Sequence, residues 1–444
     1  WEVNNTKTVS LEGFDYTIKV TDHEATKAKS NIKAVRPAPT PFDSDTAVSA
    51  THILGGIAAE LDGVTNISYE VVGNGIYIYS TNQAFNVSVV EKDLMKVITL
   101  EANDIADLPV QCKHGYIVKV ANTSAAEDDY YLKFKAENGV SGHGAWIECA
   151  KPGIKKSFDL TNMPVTFART SATEFTVSRF TWQDRDVGDE VTNPEPTFIG
   201  KVISRVLFWR NRLVFLAGKN AIISRPGDFG NFWINTALTV SASDPIDIAC
   251  STTFPSTLYD GIELPEGLLI FSSDQQFLLT TGAETLNPEN ARLIGISTYN
   301  YNKKISPISL GATTGFIDNT GQYARFFEMA NVNQRTPPDV INITKPIPTA
   351  IPNNSDLLAN SRENSTVIVG KSGQDLVQGY RYHNVGNRRL QSAWFKWKLN
   401  NPIKYHFIIG DKYYFVDDDN FLQQINLIQA VNDPLITHDN NDYL

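Results

Sequence analysis

Phe14, Tyr16, Ile18 and Val20 alternate with polar residues, the period-two pattern of a half-buried strand. Pro37, Pro39 and Pro41 then make a stiff connection. A helix is predicted from about Asp45 to Leu61. Ile53, Ile57 and Leu61 share one of its faces, Asp43, Ser44 or Asp45 can cap it, and Asp62-Gly63 ends it. Residues 67–71 and 76–79 are apolar runs flanking Gly73-Asn74-Gly75, which predicts a hairpin. Residues 1–105 therefore read as a small inserted α+β domain, with Trp1 to Asn4 as the remnant of a strand from a larger body. Residues 106–180 read as a β domain, with strands at 116–120 and 130–134 and a turn at Glu137-Asn138-Gly139.

From about residue 200 one theme recurs: apolar strand, tight turn, apolar strand. The turns fall at Gly218-Lys219-Asn220, Ser273-Asp274, Asn319-Thr320-Gly321, Ser372-Gly373 and Gly410-Asp411. Their spacing is irregular but near the roughly 40–50 residues of a propeller blade. A β-sandwich would show turns every 8–12 residues or so and more uniform strands. The expected fold class is mainly β: a β-propeller-like body over residues 181–444, with the α+β and β domains inserted. Five blade units are visible, and ring closure calls for strands beyond them. The first methionine is Met95, the chain opens in mid-strand and it stops at Asp442-Tyr443-Leu444, so an interior portion of a longer protein is expected.

Composition narrows the function. Hydrophobic residues are 42% and charged residues 20% of the 444, which fits a packed protein. Aromatic and β-branched residues outweigh good helix formers, in keeping with sheet. The net charge is −10 and no basic run occurs, which argues against a module that grips DNA phosphates. It does not argue against a conduit, because a repulsive wall prevents sticking. Cys112, Cys149 and Cys250 are odd in number and widely spaced. Free thiols in a reducing cytoplasm are the simple reading. No apolar run reaches the roughly 18–20 residues that span a bilayer, and no signal peptide is expected.

Each candidate for chemistry has a plainer alternative. Asp184, Asp186, Asp189 and Glu190 could serve a glycosidase or a calcium loop, but they read better as a solvated turn around Gly188. Asp417-Asp418-Asp419-Asn420 reads as a hairpin tip. None of the seven histidines has metal-ligand spacing. His114 lies two residues from Cys112 on a predicted strand, a pair that is more often structural. Gly73-Asn74-Gly75 and Gly142-His143-Gly144 do not open helices, so no phosphate cradle follows. Arg210-Asn211-Arg212 could meet DNA phosphate. Set among Phe208, Trp209 and Phe215, it suits a packed architectural cluster better, with Asp228 as the expected partner. No catalytic residue, metal site or cofactor is expected.

The stretch from Asn193 to Trp233 carries a pattern of its own. Asn193-Pro194-Glu195-Pro196 leads through an aromatic strand into Arg210-Asn211-Arg212-Leu213, then Ser224-Arg225, Asp228 and the ending Phe232-Trp233. Asp244-Pro245-Ile246-Asp247 follows, then segments at 268–279, 339–348 and 391–397. In this order they resemble the tail tubular protein B, or nozzle, family of short-tailed bacteriophages. The resemblance covers most of residues 105–425. It implies a homo-hexameric ring beneath the portal and adaptor rings of a virion tail, assembled in the bacterial host cytoplasm. Such a ring encloses the channel for double-stranded DNA without binding it specifically, retains the genome, docks tail fibre protein and opens for ejection. Its partners would be further copies of itself, a tail adaptor protein and the fibre, with no small-molecule substrate. The competing classes are a virion-borne or secreted glycan-degrading enzyme and a glycan-binding module.

Overall fold

Turn chemistry sets most of the connections, and alternation along the strands decides which core each side chain joins. The computed structural model describes residues 5–11, 14–22, 30–34, 50–62, 64–82, 84–90, 95–121, 129–252, 255–281, 285–385 and 388–428. Trp1 to Asn4, the three prolines, the predicted helix caps and the last residues lie outside this set. The chain divides into two compact units. One holds residues 1–195 and 233–241, the other residues 196–232 and 242–444.

In the first unit the helix runs from Ala50 to Leu61. Ile53, Leu54, Ile57, Ala58 and Leu61 form its buried stripe. It packs on a four-stranded sheet ordered Ser68–Val72, Gly75–Tyr79, Ser30–Ala34, Met95–Ile98. The predicted hairpin turn is there, with Gly73 at φ +56°. Ile76 and Ile78 face the helix, while Tyr77 points the other way into a second core with Cys112, Tyr116, Val118, Leu132 and Phe134. That second core belongs to a five-stranded sheet ordered Glu101–Ala102, Ile117–Val120, Tyr130–Ala136, Ser141–Cys149, Gln111–Lys113. The turn at 137–140 forms as expected. Gly139 takes φ +73°, and the Asn138 side-chain oxygen accepts from the amides of Val140 and Ser141. Strands Asn5–Leu11, Phe14–Asp22 and Phe85–Val89 make a further sheet, and Val165–Arg169 with Phe175–Arg179 make a separate hairpin.

The second unit is a β-propeller-like body of successive antiparallel meanders. The first sheet comprises Ile203–Trp209, Arg212–Ala217, Asn220–Ile223 and Ile246–Ala249. The second comprises Leu258–Leu264, Gly267–Ser272, Gln276–Thr280 and Arg292–Ser297. The third comprises Ile308–Ser309, Thr314–Asp318, Tyr323–Ala330 and Asp339–Asn342, with Ile351–Pro352 beside it. Alternate residues of one strand serve neighbouring cores. Leu268 and Ile270 pack toward the first sheet with Val214 and Leu216, whereas Leu269 and Phe271 pack toward the third with Phe316 and Met329. Ile317 and Phe326 continue to the fourth sheet through Val367, Val369 and Tyr380.

All five predicted turns join antiparallel strands, but they fall in four sheets rather than five units. The last two turns share one six-stranded sheet of Leu357–Ser361, Thr366–Gly370, Gln374–Val385, Arg388–Ile409, Lys412–Asp417 and Leu422–Asn426. The reason is the 22-residue strand Arg388–Ile409. Its first half pairs with Gln374–Val385 and its second half with Lys412–Asp417, across irregular register at Ile403 and Tyr405. The sheet curls around a core of Leu357, Ile368, Val377, Leu399, Ile403, Tyr413 and Phe415.

Phe316 is fully buried between the second and third sheets, its ring 5.3 Å from those of both Phe271 and Phe327. Phe316→Ala is expected to cost about 3–5 kcal/mol in urea unfolding, and Val206→Ala, on an exposed position, less than about 0.5 kcal/mol. Equal losses would contradict the two-sided packing.

His406 gives a second test. One ring nitrogen, Nδ1, lies 2.8 Å from the Tyr413 hydroxyl, and the other, buried, has no partner among the described residues. Burial pushes its pKa down to about 3. The neutral ring is the buried species, so its contribution is complete above the unfolded value near 6.5 and is lost as pH falls toward 3. Stability should fall by up to about 1.4 kcal/mol per pH unit in that window from this group. His406→Gln should flatten the slope between pH 6.5 and 4.5; an unchanged slope would place the titration elsewhere.

Candidate functional site

Strands Ile203–Trp209 and Arg212–Ala217 are joined by only two residues, closed by the pair Trp209 and Arg212. Arg210 and Asn211 both have positive φ, +47° and +58°, the geometry of a type I′ turn. Asparagine tolerates that region. For an arginine it costs about 1–2 kcal/mol. The exposed Arg210 is offset by contact: its guanidinium sits 5.0 Å from the Trp209 ring centre and donates to Thr281 Oγ1 at 3.1 Å. Asn211 is exposed, and its carbonyl takes the Gly227 amide.

The turn sends Arg212 inward. Arg212 is 2% exposed, and its guanidinium donates to the carbonyls of Ser224, Asp244, Ala242 and Leu286 at 2.9, 2.7, 2.9 and 3.5 Å. Burial lowers its pKa, and the charge of nearby Asp244 opposes that effect. Four chain segments are thus tied by one cation through neutral carbonyls. The expected partner Asp228 is not among these bonds. It accepts instead from the Asn231 side chain and forms a backbone bridge with Arg225. The carbonyl cage already fills the guanidinium's donors, and the buried charge nearest it is Asp244 rather than Asp228. The Arg225 guanidinium reaches Ser243 Oγ at 3.4 Å.

Other motif residues hold the chain on either side. Ser224 is fully buried, and its hydroxyl accepts from the Leu213 amide and donates to the Arg225 carbonyl. Asp247, just past the half-buried Pro245, accepts from Thr197 through both its amide and hydroxyl and from the Asn220 side chain, each at 2.8 Å. Phe198, two residues beyond buried Pro196, packs edge-on against Phe215 and Phe232, whose own rings stack. In the first unit, buried Asn193 donates to the Val187 carbonyl, and Pro194 is exposed. Trp233 stacks on Phe158 at 5.1 Å and donates to the Gln183 carbonyl.

Sequence reasoning passed over Arg185. It is 1% exposed, with its guanidinium 4.5 Å over the Trp233 ring, while the flanking Asp184 and Asp186 face solvent. Strict alternation around residue 185 was the available signal. The remaining acids serve local structure. Asp189 accepts from Val191 and Thr192, and Glu190 pairs with Lys151 at 3.1 Å. Asp417 is enclosed at its hairpin tip by bonds from Phe421 and Gln423. Cys112 and His114 do not share a face, because the strand ends at Lys113. The Cys112 thiol is interior, pushed up to about 12 by burial, and His114 is exposed. No group of three or more His, Cys, Asp or Glu among the described residues could hold a metal ion.

Comparison with known proteins bears on this arrangement. The "Tail tubular protein gp12" of Escherichia phage T7 is 27% identical over 316 residues, which is 70% of this chain and 39% of that protein. The match spans about two-fifths of that relative's length. Among solved structures, the WD40 domain of Toxoplasma gondii coronin aligns at TM-score 0.36 and 11% identity over 73% of this chain and 89% of that one. BamB from Moraxella catarrhalis aligns at TM-score 0.32 and 9% identity over 70% and 81%. The model of the bacteriophage nozzle protein family matches residues 4–440, and the chain belongs to that family.

Proposed function

We propose that this chain is a structural subunit of a phage tail nozzle and not an enzyme. Six copies form a ring around the channel through which duplex DNA leaves the virion. A tail adaptor protein sits on one side of the ring and tail fibre proteins dock on its flank. The ring retains the genome until it opens for ejection. The three-part division at residues 105 and 180 belongs to the same reading, as does assembly in the host cytoplasm. The family match over residues 4–440 carries the proposal. Two features support it. The net charge of −10 suits a wall along which DNA slides. The three cysteines are free and buried, as suits a reducing compartment.

The arginine motif is architectural in this reading. Arg212→Ala leaves four carbonyls in the interior without their donor and should destabilise the chain by about 2–4 kcal/mol. Folding and ring yield should fall together, while Arg210→Ala, at the exposed position, changes them little. Arg212→Ala rings that form in full yield but fail only in DNA passage would assign the site to phosphate instead.

The channel wall is the other test. Duplex DNA carries about one negative charge per 1.7 Å, so a basic lumen would hold it in a salt-dependent way. The assembled ring should bind duplex DNA more weakly than about 10⁻⁴ M at physiological salt in a titration. Tight, salt-sensitive binding would show that the acidic residues lie away from the lumen.

A further inference from the structure

Two sheet faces of this chain carry apolar side chains with nothing over them among the described residues. The first is the hairpin Val165–Arg169 and Phe175–Arg179. Opposed residues share a face in an antiparallel pair, so Val165, Phe167, Arg169, Phe175, Val177 and Arg179 lie on one side. Phe167 and Phe175 stack at 5.0 Å with rings 5° from parallel, yet they are 67% and 55% exposed. A two-stranded hairpin is marginal in water by itself. One that shows its aromatic pair to solvent is built to be covered.

The second is the outer face of the curled six-stranded sheet. Tyr405, Phe407 and Ile409 lie there with Tyr414, Val416 and Leu422. Their neighbours Tyr413 and Phe415 point inward to the core, whereas Tyr405, Ile409 and Leu422 are exposed and Phe407 stacks on Tyr414 at 5.2 Å.

We propose that these faces meet between copies: the hairpin of one subunit lies on the outer face of the last sheet of the next. The inference rests on the ring reading above and names the surfaces that would close it. Charge and size argue for a second copy. Arg169 stands at the turn end of the hairpin face and Arg179 at its base, about 13 Å apart along the strand. On the sheet, exposed Asp411 lies at one end of Lys412–Asp417 and exposed Asp418 and Asp419 at the other, about 20 Å apart. The Arg169 guanidinium donates to the Ser171 and Ala172 carbonyls of its own turn and so holds its charge at that end, while the exposed Arg179 side chain is long enough to span the difference. Lys404 is tied to the Asp418 carbonyl and the Asn420 side chain, Lys412 is half-buried on this face, and Glu174 sits in the hairpin turn. The sheet rim remains acidic by one charge and the hairpin basic by one.

The exposed apolar area on the hairpin is roughly 400 Å², within the range of a functional patch. Covering it on both partners buries about 800 Å², half of a standard interface. The contact is therefore an anchor within a larger surface. Because the two faces differ, the contact is head-to-tail, the type that closes rings rather than isolated dimers.

The test uses the full chain in sedimentation velocity and electron microscopy, with two sets of variants. Phe167→Asp with Phe175→Asp should raise the assembly midpoint at least tenfold while leaving the thermal midpoint of the unassembled chain, measured below both assembly midpoints, unchanged, since both residues are exposed. Separately, Val177→Cys chains mixed with Leu422→Cys chains should give covalent dimers on oxidation, and neither should do so alone. Rings that form within twofold of the original midpoint overturn this inference and leave the ring reading intact. A parent chain that stays monomeric at every concentration overturns both. Cross-links between Val177→Cys chains alone overturn the head-to-tail arrangement. Binding of phosphatidylcholine–phosphatidylglycerol vesicles that is lost in the double Asp variant, without any effect on assembly, would assign the hairpin to membrane and overturn the proposal.

Discussion

The strands at the centre of the body have no polar face. In Gly267–Ser272 and Gln276–Thr280 every residue is buried, because odd and even positions enter different cores. This two-sided burial is the constraint on which the rest depends. A strand that serves two cores cannot slip by one residue without exchanging its whole hydrophobic set between neighbours. Register must then be fixed by the turns, and each is built for that. Gly218 and Gly410 take φ +57° and +56° in two-residue loops, and Gly267 tolerates a position where a Cβ would lie 2.2 Å from the Leu279 carbonyl oxygen.

The Arg210-Asn211 turn shows how such a constraint shapes a motif. A two-residue loop between right-twisted strands takes the I′ or II′ form, and the I′ form adopted here demands positive φ at both positions. Asn-Gly would meet that demand with less strain. Arginine there places a guanidinium on Trp209, and the same hairpin geometry buries Arg212 one residue after Asn211. The motif is therefore one turn with two cations of opposite fate. Arg210 lies in solvent over an indole, and Arg212 lies in the interior within a carbonyl cage. Glycine could supply the turn but not the cross-ties.

Much of this was legible in the sequence because its signals are local. Gly73-Asn74, Asn138-Gly139 and the five later turns each announce a hairpin by residue type, and each joins the strands that flank it. The helix was visible from Ile53, Ile57 and Leu61. What local pattern could not give was sheet membership. Nothing near Gln374 or Lys412 tells that a single 22-residue strand binds both turns into one sheet, since that depends on where a long strand bends. Arg212 was legible as a packed residue among aromatics, but its acceptors come from residues 224, 242, 244 and 286, a set no spacing rule connects. Arg185 was hidden for the opposite reason. Its acidic neighbours suggested a solvated turn, and alternation put the cation inside.

Charge shows the same difference between composition and placement. The formal −10 is not the charge that the surface presents, because part of the acidity is interior. Asp129, Asp244, Asp260, Asp318, Glu328 and Asp417 are buried, against Arg185 and Arg212 among the arginines. Four of those acids hold basic residues that reach toward the surface: Lys119 on Asp129, Arg205 on Asp260, Arg325 on Asp318 and Arg389 on Glu328. The Arg389 pair is bidentate, with two nitrogens on both carboxylate oxygens at 2.6 and 2.9 Å. A fork held in that way has lost much of its freedom to turn toward a phosphate. Burying acids would by itself leave a less acidic surface. Burying acids that each grip a cation does something else, since those four positive groups are neutralised where they stand. At these four places the chain takes an acid out of the surface without setting its basic partner free, so the net charge there stays where composition put it while its freedom to meet another anion is lost.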